Sequence, residues 1–391
     1  MANSKRALNP PRLLLVLAVL LSAAVLGAGG QDETAPGQEM VLEREFPAER
    51  GGLVEVLLHT GGSIRISGWE RDVVRIRAEK KGRNREDCWV SFQESGRGIR
   101  VESEAERRNI NCSVDITIDA PLESDIRVLT MGGDIELADL KGETEAETMG
   151  GSVELKGLEG TIELTTMGGS IQVADSMLDG HVKTMGGRIV IDNVRGDLDA
   201  STMGGEVVYK NRPASESGDG EALSISTMGG PINVDSAPFG VEASTMGGAI
   251  HVRSARVYAR VKTMGGSINI DDIDGWVKAT TMGGNVTVIM TGDPGQGRRD
   301  VDISSMGGTI RLTVPRDLAM DVDLELNYTR SSGGKYKIIS DFDLTLEETE
   351  NWDTGPGKPG KIIRARGRTG DGRHRIVVST VNGDIYLLAA K

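Results

Sequence analysis

The sequence predicts an all-β chain, a single-stranded parallel β-solenoid (β-helix) with 18-residue coils, and three observations carry that prediction. A Thr-Met-Gly-Gly turn recurs in about ten near-identical copies, with its Met at 131, 149, 167, 185, 203, 228, 246, 264, 282 and 306. Between the turns, apolar and polar residues alternate with the period of a half-buried strand. Aromatics are only 3% of the chain, while Gly accounts for 53 of its 391 residues. That composition suits a thin aliphatic core with frequent turns.

Seven of the nine Met-to-Met intervals are 18 residues, and the other two are 25 and 24. The longer two read as polar, turn-rich insertions at 212–220 and 292–299, expected to bulge out without breaking the stack. With Thr numbered zero, positions 5 and 7 are apolar, as in Ile135/Leu137, Val153/Leu155, Ile189/Ile191 and Ile268/Ile270. Positions 14 and 16 are mostly apolar, as in Ile162/Leu164, Leu198/Ala200 and Val277/Ala279. Each coil therefore holds two half-buried strands. Gly-Gly makes one corner, and a looser corner near positions 9 to 12 often contains Gly, as at Gly142, Gly160, Gly196 and Gly275. One coil cannot cover its own apolar face, but neighbours on either side can. At about 4.8 Å per coil, ten coils span roughly 45–50 Å. Thr continues the inward phase, so its hydroxyl is placed to satisfy the corner backbone. Met then lies at the corner, covering the strand edge or forming an exposed stripe. Stacked methionines suggest copper or another soft metal. With no His or Cys beside them, the reading taken is a flexible gap-filler, with no metal and no cofactor.

The chain divides into 1–30, 31–125, 126–320 and 321–391. In the first segment Lys5, Arg6 and Arg12 precede an apolar run over 13–26, followed by Gly27, Ala28, Gly29 and Gly30. That pattern is a signal peptide, with the mature chain starting near Gln31. The alternative is an uncleaved anchor, the only membrane contact expected. No Cys follows the run, so no lipid attachment is expected there. Export places the protein in the periplasm, at the cell surface or in the medium. In that setting the only two cysteines, Cys88 and Cys112, read as a disulfide; the alternative is two buried thiols. Segments 31–125 and 321–391 carry strand signals without the full motif and read as degenerate coils and caps, which an open solenoid end requires.

These flanks carry a resemblance. Gly62-Ser-Ile-Arg-Ile-Ser-Gly-Trp-Glu-Arg-Asp-Val-Val-Arg-Ile, then Val114-Asp-Ile-Thr-Ile-Asp-Ala-Pro-Leu-Glu-Ser-Asp-Ile-Arg-Val-Leu-Thr, and the closing Val381-Asn-Gly-Asp-Ile resemble the bacterial putative-adhesin family, a domain of unknown function built from β-strand repeats. The resemblance spans roughly residues 45–390. It implies an envelope or surface location and a β-solenoid, and it supplies no functional residues.

Several function classes are disfavoured. A net charge of −13 argues against a nucleic-acid partner, which needs a basic face. Residues 355–361 match a Gly-rich phosphate loop only in letters, since two prolines interrupt it and Ile362 replaces the required Ser or Thr. Arg195-Gly196-Asp197 is a cell-attachment-like tripeptide expected on a turn, where chance is the plainer source. The sharpest catalytic alternative is a polysaccharide lyase or glycosidase. It would use an outward column of Glu145, Glu163, His181 and Asp199, whose Glu163 and Asp199 would stand about 9.6 Å apart, the upper edge of the inverting spacing. A solvated polar ladder is the plainer reading, so no enzyme is expected. The one candidate binding site is an outward aromatic pair, Tyr258 and Trp276, with Arg260, Lys262 and Lys278 beside it. That pair suits an anionic glycan or other envelope polymer; a surface protein is the other partner class. The plainer alternative is that the rings cover the loose corner.

Overall fold

The structure, a computed structural model, describes residues 31–391 except 34–39, 97, 108–109, 211–219, 330–335, 350–359 and 391, and only the backbone of 31–33 and Ser95. The expected signal peptide, nearly all of the first insertion and most of the phosphate-loop-like segment lie outside the described residues. Among the described residues there are 33 strands and one 3-10 turn, Arg85–Asp87. None of these residues form a helix long and apolar enough to cross a membrane.

A repeating coil has a short strand after the glycine pair and a longer one before the next pair, as in Val153–Lys156 and Glu159–Thr166. Val153, Leu155, Ile162, Leu164 and Thr166 are buried, and Glu154 and Glu163 between them are exposed. Each buried aliphatic contributes about 1.5–3 kcal/mol. A further inward residue sits at position 10, where Leu140, Leu158, Val194, Ala237, Ala255 and Ile273 are all buried. The corner expected to be loose is thus packed. It turns on a left-handed residue just before, at Asp139, Asp175 and Asn193 (φ 56°, 50° and 56°) and at Gly157 (φ 66°). Asp and Asn tolerate that conformation better than other side chains.

Successive coils pair in parallel, in register, 18 residues apart: Ile162 faces Gly180 and Leu164 faces Val182. Register survives both insertions, since Ala200 pairs with Ile225 and Val277 with Val301. The second insertion does not simply bulge outward. Arg299 is only 2% exposed. It donates to Thr291 O at 2.7 Å, Asp293 O at 2.9 Å and Asp274 Oδ1 at 2.6 Å, holding the loop to the stack.

The ends depart from an all-parallel solenoid. Gly52–Leu58 and Ile64–Trp69 form a coil inserted between the later strands Gly98–Ala105 and Ser113–Pro121 on one side and Ser124–Thr130 and Ile135–Ala138 on the other. The far end mirrors this. His374–Val381 and Ile385–Ala389 stack directly on Val301–Ser305 and Ile310–Val314, and the earlier strands Met320–Thr329 and Ile338–Ser340 lie outside them. Beyond these coils the pairing becomes antiparallel. Cys88–Ser95 covers Gly98–Ala105, Val73–Lys81 covers Ser113–Pro121, and Gly360–Arg368 covers Met320–Thr329. An antiparallel return reaches an edge through a short connection, whereas a parallel strand needs a crossover, and the returning strands are flanked in turn by Gln31–Glu33, Val41–Pro47 and Thr345–Glu348. Cys88 and Cys112 are joined as a disulfide within the first of these ends.

Candidate functional site

The repeated turn has an inner and an outer half. The inner half is fixed by packing. Each Thr hydroxyl donates to the second-glycine carbonyl of the neighbouring coil, for example Thr184 to Gly169 O at 2.9 Å and Thr263 to Gly248 O at 2.8 Å. The same oxygen accepts from the second glycine of its own turn, as Gly187 N does at 3.1 Å and Gly266 N at 3.1 Å. Ser305 takes the role in the tenth copy, and Thr130 and Thr380 extend the ladder onto Gly62 and Gly308. A methyl on the second glycine, as at Gly187 or Gly266, would overlap the carbonyl of Gly169 or Gly248.

The outer half has no such constraint. The first glycine is exposed in all ten copies, and a Cβ on it would meet nothing or make ordinary contact, as at Gly150 and Gly186. The ten methionines are 45–62% exposed. They are not gap-fillers, which corrects the expectation: they stand as a continuous outer column. The flanking columns vary freely. One runs Asp134, Ser152, Arg188, Glu206, Pro231, and the other Leu129, Glu147, Lys183, Ser201, Lys262.

Tyr258 and Trp276 come together as expected. Their rings stack in parallel, with centroids 4.8 Å apart and planes within 6°. Their backbones pair across adjacent coils, as do Arg260 with Lys278 and Lys262 with Thr280. The ring faces, however, are already used. Tyr258 lies over Gly240, where any side chain would strike its ring. Arg298 sits 5.1 Å and Arg260 5.7 Å from the Trp276 centroid. The cations are also engaged: Arg260 pairs with Glu242 at 3.6 Å, and Lys278 with Asp302 at 3.1 Å. Burial, then Glu242, pushes the Tyr258 hydroxyl above its ordinary value. Both ring faces and two of the three expected cations, Arg260 and Lys278, thus already have partners within the stack. Sequence reasoning missed Arg298, since the insertion that carries it has no repeat register. It also missed Val257, which holds a positive φ of 65° at the position where other coils place glycine.

The acidic column forms in register, with Glu145 beside Glu163, Glu163 beside His181 and His181 beside Asp199. Its ends are engaged, Glu145 with Arg127 at 2.7 Å and Asp199 with His181 at 3.2 Å. These pairs are half-exposed on a strand face, so nothing enforces the low dielectric that acid–base catalysis exploits. Beside it, the hydrogen bond and charge of Asp197, then burial, Asp179 and Asp199, push the Glu221 carboxyl above its ordinary value. Crowding of like charge in an open setting explains that shift. Arg195-Gly196-Asp197 is tied into the stack through Arg195 N to Ser176 O at 2.9 Å, and it does not protrude as a free loop. A cleft of about 700 Å³ opens at the first end, lined by Arg50, Leu53, Glu94, Asp125, Arg127 and Glu143 among others. Two of its cations are paired, Arg50 with Asp72 at 3.4 Å and Arg127 with Glu145 at 2.7 Å.

A family model described as Toastrack DUF4097 matches residues 56–259. Two solved structures are similar over most of the chain. A "putative cell adhesion protein" from Clostridium sporogenes is 12% identical, with 90% of this chain and 100% of that one covered and a TM-score of 0.16. A "putative adhesin" from Bacteroides fragilis is 8% identical, with coverage of 90% and 99% and a TM-score of 0.17. No curated protein matches the chain.

Proposed function

The chain belongs to the Toastrack DUF4097 family, and from that premise we propose an exported, non-catalytic scaffold of the cell envelope or surface that binds in the manner of an adhesin. The observation that carries the reading is the outer half of the turn. One exposed Met-Gly element is presented ten times at constant spacing, while the fold itself requires only the Thr and the second glycine. Repeated identical elements on a stiff support suit multivalent attachment, in which weak contacts add up once the spacing matches. An enzyme concentrates unlike groups in one sheltered place. Anionic glycans, other envelope polymers and surface proteins are the ligand classes to try. The test is an array of glycans and matrix proteins probed with residues 31–391, with product detection in parallel. Retention that falls when the protein is cut to a few coils, with no product formed, is the expected result. Turnover of any glycan would refute the non-catalytic reading, and N-terminal sequencing of secreted material that found Met1 would refute cleavage near Gln31.

A further inference from the structure

The methionine column has a property that apolarity alone does not account for. Core position 5 drifts between Ile and Val from coil to coil, and both columns flanking the methionines vary in charge and size. The ten copies have therefore diverged where only shape or solubility matters. At a half-exposed position with no packing demand, Leu or Ile would serve as well as Met. Yet all ten copies keep the thioether, which accounts for ten of the chain's 15 methionines. All ten also keep an exposed glycine beside it, so no Cβ rises next to the sulfur.

The spacing suits a bridging ion. Consecutive members are hydrogen-bonded through their own backbones, as Met246 N to Met228 O, Met264 N to Met246 O and Met282 N to Met264 O, each at 3.2 Å. Neighbouring members thus stand one strand apart, about 4.8 Å. Two sulfurs bound to one ion at about 2.3 Å each lie at most about 4.6 Å apart, close to that spacing. Three rotatable bonds let the side chains converge without moving the backbone. Thioether donors select soft monovalent ions such as Cu(I) over harder divalent ones. Competing donors are elsewhere. Both cysteines are tied up in the disulfide. His59, His181 and His251 pair with Glu102, Asp199 and Asp271, and His374 is buried. Among the described residues, no group of three or more His, Cys, Asp or Glu is placed to hold a metal.

We propose that the methionine column is a binding site for soft monovalent metal ions, Cu(I) or Ag(I), each held by thioethers of two or three successive coils. This goes beyond the scaffold reading and does not depend on it. At two or three sulfurs per ion, ten members accommodate about three to five ions per chain.

The test uses residues 31–391 with the disulfide intact. Cu(I) is titrated anaerobically against a chromophoric Cu(I) chelator, and Ag(I) is followed by calorimetry, with Zn(II) and Cu(II) as controls. The expected result is uptake of about three to five Cu(I) or Ag(I) ions and X-ray absorption with sulfur as the only first-shell scatterer. Zn(II) and Cu(II) should bind at least tenfold more weakly. Replacing all ten methionines by Leu should abolish uptake with an unchanged circular dichroism spectrum. Should that variant fail to fold, Met203→Leu, Met228→Leu and Met246→Leu together should remove uptake in proportion. Wild-type protein that takes up no Cu(I), nitrogen or oxygen in the first shell, or unchanged uptake in a folded Leu variant would each overturn the proposal. So would a wild-type chain that self-associates without taking up metal while its Leu variant does the same, since the column would then be an apolar contact. Array binding by metal-free protein reports on the scaffold reading separately.

Discussion

The middle of the stack and its two ends solve the same problem in opposite ways. Between residues 131 and 314 every strand pairs with the strand one coil away in sequence, and each coil is covered by its immediate neighbours. At the ends, pairing skips along the chain. The coil at 52–69 waits for strands at 98–121 and 124–138, and the last coil, at 374–389, fits between strands already made. A stack held by neighbour contacts can be lengthened or shortened at will, whereas an end must stop the propagation and requires contacts that are distant in sequence.

The sharpest break in that comparison is deletion. Removing residues 166–183, one whole unit, should leave a cooperative fold whose melting temperature falls by only a few degrees. Removing residues 374–389 should abolish the fold, because Val301–Ser305 and Met320–Thr329 would both lose the strand between them. Circular dichroism and thermal melts read both. If the two deletions behaved alike, the division between middle and ends would fail.

A smaller effect separates the two glycines of one middle turn. Gly187→Ala puts a methyl onto the Gly169 carbonyl and should cost about 3 kcal/mol in a urea titration. Gly186→Ala has ordinary contacts and no positive φ, and should be neutral or stabilising by up to about 1 kcal/mol.

The middle also has an exception to its own pattern. Val257 carries a φ of 65° and is 55% exposed, so a β-branched residue occupies a left-handed site without gaining burial. Val257→Gly should stabilise by about 1 kcal/mol after the entropy of glycine is counted. A destabilised variant would mean that the strain is offset by contacts to the neighbouring ring column.

The smallest effect lies where end meets middle. Arg65 on Ile64–Trp69 binds Glu136 on Ile135–Ala138 through two hydrogen bonds of 2.6 and 2.8 Å. The Arg65 bond, against an opposing burial penalty, holds the Glu136 carboxyl below its ordinary 4.5. A lowered carboxyl pKa stabilises the fold above 4.5, and that stability is lost as the pH falls through the lower, folded value. Because the pair is exposed and screened, Glu136→Gln should cost under about 1 kcal/mol at neutral pH. The cost should vanish in acid; one that persisted there would show that the charge is not what matters.

Much of the middle was legible from the sequence. The positions of Ile135, Leu137, Ile162 and Leu164 and the Thr ladder all follow from period, phase and residue type; at the first end, the Cys88–Cys112 pair was legible only because the sequence has no other cysteines. Position 10 could also have been found, since Leu140, Leu158, Val194 and Ile273 recur there, but Gly and Asp around it suggested a loop. The proximity of Tyr258 and Trp276 was legible because both sit at position 13. The occupation of their faces by Gly240 and Arg298 was not. One contact depends on a missing side chain, and the other on an insertion outside the register.

The sequence by itself determined the coil: its length, its inward residues, and the Thr and Gly that close its corner. Those interactions reach only to the next copy, so one repeat contains all the information they need. Tertiary structure alone decided the order of strands at the ends, because several edges of similar chemistry compete there and the choice depends on which remain free. It alone also decided that the ten methionines stand outward, because a thioether suits a core gap and an open surface equally well, and only the packed Thr and glycine columns beneath leave it nowhere to go but solvent.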